Sequence, residues 1–451
     1  MQVLDAPARL LPDADGVREI LGRHLLADGY EFVLDMEASR GFYLRDAASG
    51  RTFLDLFTFY ASNPLGMNHP KLAGEGDAAQ AFRARLMDAA LNKVANSDIY
   101  TAHMARFVET FSRVGIPKEL PHLFLVEGGT LAVENALKVA FDWKVRLNWR
   151  KGYRSERGQQ VLHLERAFHG RSGYTLSLTN TDPTKTALFP KFDWPRITTP
   201  HANGPADEID VEAREDLALR QARLAFEQNK DDIAAIIIEP IQSEGGDNHF
   251  RPRFLKALRE LADEHEALLI FDEVQTGVGL TGTFWFYEQT GVVPDVLAFG
   301  KKTQVCGILA GPRVDEVDGH VFEVSSRINS TWGGNLTDMV RFDRILEVME
   351  EEGLVANASR MGAHLQKRLG TLADRFEGVT NPRGKGLLCA FDLPDKATRD
   401  KVVDRVYDLG AIILGCGTRS VRFRTALNVT GAELDEGLAL VERALADVLE
   451  A

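Results

Sequence analysis

Apolar runs at residues 267–271 and 296–299 are short, bounded by turn residues, and read as buried parallel strands. The first delivers Asp272 at its carboxyl end, the second Lys301. Similar runs at 123–126, 160–164 and 233–238 predict three more strands. Helical stretches follow at 132–143 and 253–265, and Met339, Phe342, Ile345, Leu346 and Met349 form a stripe over 337–352 that Gly353 ends. This alternation predicts an α/β fold, a mostly parallel sheet flanked by helices. The ends of the chain differ. Residues 42–46 and 51–55 flank a turn and read as a hairpin, and 386–392 and 420–424 read as strands of a small α+β layer. The expected organisation is an amino-terminal segment (1–75) joined to the small domain, a large domain (76–336) and a carboxy-terminal small domain (337–451).

Composition narrows the class. With 451 residues, 44% hydrophobic and 26% charged, the chain suits a soluble protein of two or more domains. A net charge of −13 argues against nucleic acid or an anionic membrane as partner. No apolar stretch approaches the roughly 18 residues of a membrane span. Cys306, Cys389 and Cys416 are far apart, which supports neither a disulfide framework nor a metal site and points to a reducing cytoplasm. The stretch 1–7 lacks the basic start and apolar run of a signal peptide.

Ligands of open α/β sheets bind at the carboxyl edge of the strands, where Asp272 and Lys301 are expected together. A lysine able to form a Schiff base, with an aspartate to hold a protonated pyridine nitrogen, is the working pair of pyridoxal 5′-phosphate chemistry. Glu127-Gly128-Gly129-Thr130 joins a strand to a helix, where backbone N–H groups and the helix amino end suit a phosphate. Phe168 and His169 leave the next strand, either to cover a flat ring or to pack beneath their loop. Arg171 suits a bidentate grip on a carboxylate. Glu239 and Glu244, beside a glycine pair, fit a site rim, and the donor-rich loop 329–335 fits a phosphate or a set of turns. The aromatic stretch 57–66 reads equally as a core-facing loop or as a pocket wall. Other chemistries lose a required residue: Asp295 stands where a P-loop needs its leading Gly, and 170–173 is one residue short of G-x-S-x-G.

Taken together, 127–130, 168–171, 272–277 and Gly300-Lys301 occur in the order and at the separations of one family. The chain resembles, over essentially its whole length, a class III (ω-amino) aminotransferase of fold type I. Phe57-Thr58-Phe59, 91–98, 171–175, 301–307 and 329–334 narrow the resemblance to the branch acting on the ε-amine of lysine. The resemblance implies pyridoxal 5′-phosphate as cofactor, L-lysine and 2-oxoglutarate as substrates, and a homodimer with shared active sites. It implies Lys301 as the Schiff-base lysine and proton shuttle, Asp272 at the pyridine nitrogen, Phe168 and Val274 on the ring faces, with His169 alongside, and Gln275 at the phenolic oxygen. It puts Gly129 and Thr130 on the phosphate, joined by Ser330 and Thr331 from a partner subunit. Arg171 would clamp the remote carboxylate of lysine, and Arg422, masked by Glu244, the carboxylate of the oxo acid. Phe57 and Asn329 would border the substrate. Thr130, Tyr60 and Ser243 depart from the family pattern, which leaves ornithine and 4-aminobutyrate open as donors.

Overall fold

The computed structural model describes residues 11–204, 207 and 210–450. The stretch 1–7, read for a leader, lies outside them, as do residues 205, 206, 208 and 209 of the polar connection after Asp193.

The amino-terminal hairpin pairs β1 (Tyr43–Arg45) with β2 (Thr52–Asp55). Seven strands then build the large sheet. They are β3 (His122–Val126), β4 (Gln160–Leu164), β5 (Arg196–Ile197), β6 (Ile233–Ile238), β7 (Leu268–Asp272), β8 (Val296–Phe299) and β9 (Cys306–Ala310). Their spatial order is β3-β9-β8-β7-β6-β4-β5. Strands β4 to β8 pair in parallel, while β9 runs antiparallel to both β8 and β3. Strands β6, β7 and β8 are buried along their whole length, which is why they read as continuous apolar runs rather than as alternation. Because β9 alone is reversed, β3, β4, β6, β7 and β8 all direct their carboxyl ends to one edge. That edge receives Gly128, Phe168, Glu239, Asp272 and Lys301.

The expected helices are present, the first longer than read and the other two shifted by one residue: Gly129–Arg150, Pro252–Glu264 and Leu336–Glu351, the last followed by a left-handed Gly353. The carboxy-terminal sheet orders β10 (Thr380–Lys385), β11 (Leu388–Asp392), β14 (Ser420–Arg424) and β13 (Leu414–Cys416). The short strand β12 (Ala411–Ile412) instead pairs in parallel with β2, so one three-stranded sheet unites the two ends of the chain. Among the described residues, no helix is long and apolar enough to cross a membrane.

The stretch 57–66, open between loop and pocket wall, is neither simple loop nor ordinary helix. Thr58, Phe59, Tyr60 and Ala61 form one left-handed turn, with φ of 41°, 51°, 62° and 64°. For L-residues this conformation costs roughly 1–2 kcal/mol each, so the surroundings must hold it. Asp55, 1% exposed at the end of β2, does so through Oδ1, which accepts the N–H groups of Phe57 (3.1 Å) and Thr58 (2.7 Å). The Thr58 hydroxyl donates to the Arg424 carbonyl at 2.7 Å, and Gln304 Nε2 donates to the Ser62 carbonyl at 2.8 Å.

Asp55→Ala therefore leaves two buried N–H groups unpaired beneath a strained turn, and we expect a loss of about 2–3 kcal/mol in urea denaturation. Asp55→Asn keeps an acceptor oxygen and costs less. Burial raises the Asp55 carboxyl to about 6. The folded form therefore holds its proton more tightly than the unfolded chain, so this group's contribution is full below about 4 and falls as pH rises through 6. Asp55→Asn should flatten the urea midpoint over that window. An Asn variant as damaged as the Ala variant would disprove the assignment.

Candidate active site

A cavity of about 410 Å³ opens at the shared carboxyl edge of the large sheet. Its floor comes from the strand exits. After β3, Gly128 adopts φ +95° and starts the 22-residue helix Gly129–Arg150, whose first residues Gly129 and Thr130 line the cavity. The four amide N–H groups at such an end lack helical partners and favour an anion. Close approach is built in, since a Cβ at Gly170 would lie 2.6 Å from the Thr130 hydroxyl oxygen.

After β7, Asp272 takes two hydrogen bonds. His169 Nδ1 lies 2.8 Å from Oδ2, and the Val274 N–H donates to Oδ1 at 3.1 Å. A carboxylate can only accept, so His169 carries its proton on Nδ1. Val274 and Phe168 both line the cavity. Glu239 lies close by, its carboxylate accepting from the N–H groups of Phe168 (2.9 Å) and Ser243 (3.1 Å). Burial raises its carboxyl to about 7.

Lys301 follows β8 and sits in the left-handed region at φ 55°, its amine lining the cavity. Burial, and then the Arg422 guanidinium, lower the amine to about 8, against an ordinary 10.5. An amine so placed is a much better nucleophile near neutral pH than an exposed lysine.

The opposite wall comes from the small sheet. Alternation along β14 puts Arg422 and Arg424 on the same face. Each meets an acid from the loop after β6. Arg422 Nη2 donates to Glu244 Oε2 at 2.8 Å, and Arg424 grips Asp247 at 2.5 and 3.0 Å. Arg424 Nε also donates to Gln275 Oε1 at 2.9 Å, which turns the Gln275 amide nitrogen away from that pair. Glu244 has a second cation, since Lys185 Nζ lies 2.6 Å from Oε1. Burial alone would raise the Glu244 carboxyl, but Arg422 and Lys185 outweigh it and hold it at about 2. Arg422 keeps Nε and Nη1 buried without partners. Arg171 lines the cavity mouth and has no ion-pair partner among the described residues.

Of the residues expected at the site, the cavity gathers Gly129, Thr130, Phe168, His169, Arg171, Glu244, Asp272, Val274, Gln275, Lys301 and Arg422. Phe57 is not among them. It is buried in a small aromatic core with Tyr30 and Phe59, and the half-exposed Tyr60 takes the wall position, because the left-handed turn rotates the chain between them. Asn329, Ser330 and Thr331 also do not line the cavity of their own chain. Their loop is held by Asn96, whose amide donates to the carbonyls of Trp332 (2.9 Å) and Gly334 (3.0 Å). Lys185 was not foreseen. Asp182-Pro183 signals its short 3-10 helix, but nothing in that signal aims the lysine at Glu244.

These groups fit pyridoxal 5′-phosphate: an anion cradle at a helix start, a carboxylate held by a histidine, a buried amine of lowered basicity, and apolar side chains for a ring. The Arg422 donors left without partners call for a further acceptor, such as a substrate carboxylate. Comparison with known proteins agrees. A family profile for aminotransferase class-III matches residues 26–445. The L-lysine-epsilon aminotransferase of Mycobacterium tuberculosis is 59% identical over 432 residues, covering 96% of this chain and 95% of that protein. That of Amycolatopsis lactamdurans is 53% identical, covering 98% and 99%. The solved structure of the lysine aminotransferase from M. tuberculosis in the internal aldimine form superposes with a TM-score of 0.95 at 58% identity, covering 97% of this chain and all of that one. The fold is fold type I, and the chain belongs to the class III aminotransferases, enzymes whose cofactor is pyridoxal 5′-phosphate.

Proposed function

We propose that this enzyme is an L-lysine 6-aminotransferase, passing the ε-amino group of L-lysine to 2-oxoglutarate to give 2-aminoadipate 6-semialdehyde and L-glutamate. The observation that carries the reading is the pair of arginines in one cavity, Arg171 open and Arg422 masked by Glu244. The reacting carbon of lysine bears no carboxylate, so the adjacent guanidinium is best kept neutralised while Arg171 takes the remote carboxylate. In 2-oxoglutarate a carboxylate adjoins the reacting carbon and requires Arg422 uncovered. The names of the relatives at 50–59% identity support the same donor.

Bound pyridoxal 5′-phosphate supplies the electron sink for the bond cleavage. The chain's own residues do the rest. Gly129 and Thr130 would hold the phosphate, and Phe168 and Val274 would lie against the ring. Gln275, its oxygen occupied by Arg424, offers its amide N–H groups to the phenolic oxygen. Asp272, oriented by His169, holds the proton on the ring nitrogen. Lys301 would supply the neutral amine that tethers the cofactor and would move the proton at the reacting carbon. Ser330 and Thr331 complete the phosphate site of a second copy. Their exposed loop, together with the exposed Met87, Leu91, Ile99 and Tyr100, supports a homodimer. Three buried, unpaired cysteines support a reducing, cytoplasmic setting.

The absorbance spectrum of the holoenzyme, taken before and after each amine with no oxo acid present, tests the donor. L-Lysine alone should bleach the band of the lysine-linked cofactor. If ornithine or 4-aminobutyrate bleaches it and lysine does not, the donor assignment is overturned while the cofactor chemistry stands.

A further inference from the structure

Glu244 is held at both ends. Its Oε2 meets Arg422 Nη2 at 2.8 Å and its Oε1 meets Lys185 Nζ at 2.6 Å. The two cations are unlike each other. Arg422 is fixed, its side chain 3% exposed on β14, whereas Lys185 is 26% exposed at the end of a three-residue 3-10 helix, Pro183–Lys185. The lysine also reaches the cavity, 5.4 Å above the Phe168 ring.

The contact made by Arg422 is incomplete. A guanidinium grips a carboxylate best with two parallel N–H groups, and Nη2 belongs to both of its two-donor edges. Glu244 occupies Nη2 with a single oxygen and leaves the buried Nε and Nη1 without partners. Nη2 directs one N–H to each edge, so Glu244 blocks one edge directly, and its charge opposes a second carboxylate at the other until it withdraws. The other oxygen of Glu244 is taken by Lys185 instead of by the second donor of an Arg422 edge.

We propose that Lys185 is a positioning residue for the oxo-acid half-reaction. It keeps Glu244 on a one-point, exchangeable contact with Arg422 and takes the whole carboxylate when a substrate carboxylate claims the guanidinium. Glu244 then withdraws from one cation to another instead of moving unpaired into a partly desolvated cavity, which would be costly. This role rests on Arg422 as the carboxylate anchor. It favours acceptors with a carboxylate beside the reacting carbon, whereas donors such as ω-amines do not require Glu244 to move.

The test uses glutarate, an unreactive dicarboxylate of the same chain length as 2-oxoglutarate, titrated into holoenzyme by calorimetry. Lys185→Met should weaken glutarate binding about three- to fivefold, the size expected for one partly exposed ion pair. The KM for 2-oxoglutarate should rise more than that for the amine, and Lys185→Arg should restore both. In a Glu244→Gln background, Lys185→Met should leave glutarate binding unaltered, because the carboxylate it acts through is gone. An equal loss in that background would mean that Lys185 touches the ligand directly, and unchanged or tighter binding in the single variant would mean that it does not guide Glu244. Either result overturns the proposal. Undiminished glutarate binding in Arg422→Met would remove the anchor itself, and the two-arginine reading of the site with it.

Discussion

Lys301→Ala should lower kcat by about 10⁴-fold or more, since it removes both the nucleophile and the proton carrier, and positioned proton transfer alone is worth about 10²–10⁴-fold. The cofactor should remain bound without a covalent link, because the helix start at Gly129 and Thr130, and Asp272 with His169, do not depend on the lysine. The native fold should also persist, as the side chain has no hydrogen-bond or ion-pair partner among the described residues and Ala exerts no greater strain at φ 55°. Lys301→Arg, charged but unable to deprotonate, should be equally inactive. The amine's environment gives a second readout. It titrates at about 8 in the protein, because burial and then Arg422 disfavour its charged form. Only the neutral amine attacks a carbonyl, so capture of added cofactor by the apoprotein should quicken as pH rises and level off near 8. Continued quickening toward the 10.5 of an ordinary lysine would contradict the desolvated setting, and turnover by Lys301→Ala within tenfold of the wild type would end the assignment of this residue.

Asp272 and Lys301 were legible in the sequence because strands β7 and β8 are buried on both faces. Continuous apolar runs of this kind have visible ends, and a charged residue at such an end stands out. The glycine turn before the helix Gly129–Arg150 was legible for a similar reason, since few residues other than glycine accept the backbone of Gly128. The fold's long-range pairings were not. Nothing local says that β12 joins β2 across more than 350 residues, or that β9 alone runs against its neighbours. The turn at Thr58–Ala61 was hidden because it contains no glycine or asparagine. Its conformation is imposed by Asp55 and by the carbonyl of Arg424, so nothing local could decide between core and pocket wall, and it is Tyr60 rather than Phe57, the residue the resemblance implied, that lines the cavity. Lys185 was hidden too, because three residues of 3-10 helix in a polar stretch carry no periodicity from which a direction can be read.

Asp272→Asn should cost about 10³-fold in kcat, comparable to removing one preorganised electrostatic partner from an active site and equal to about 4 kcal/mol of barrier. The change is nearly isosteric, so the loss isolates charge from shape. In the wild type the carboxylate accepts from His169 Nδ1 and from the Val274 N–H, which leaves it acceptor-only on every side. It can therefore hold a proton on a ring nitrogen but cannot donate to an unprotonated one. An amide in its place has a single acceptor oxygen. If that oxygen stays with His169, the NH₂ group replaces Oδ1, meets the Val274 N–H donor against donor, and can donate to a ring nitrogen only in the neutral pyridine form that withdraws electrons poorly. If the amide turns over, its NH₂ group confronts the Nδ1 proton of His169 and the histidine must shift. Both orientations predict the same loss of turnover, and a cofactor analogue methylated on the ring nitrogen distinguishes charge from geometry. That analogue is permanently cationic, so it should return a substantial part of the lost activity to Asp272→Asn, while in the wild type the methyl group only crowds the carboxylate. Failure of the analogue to help, combined with a full 10³-fold loss, would mean that Asp272 acts through the placement of His169 rather than through its charge. A loss smaller than tenfold would remove Asp272 from the chemistry altogether.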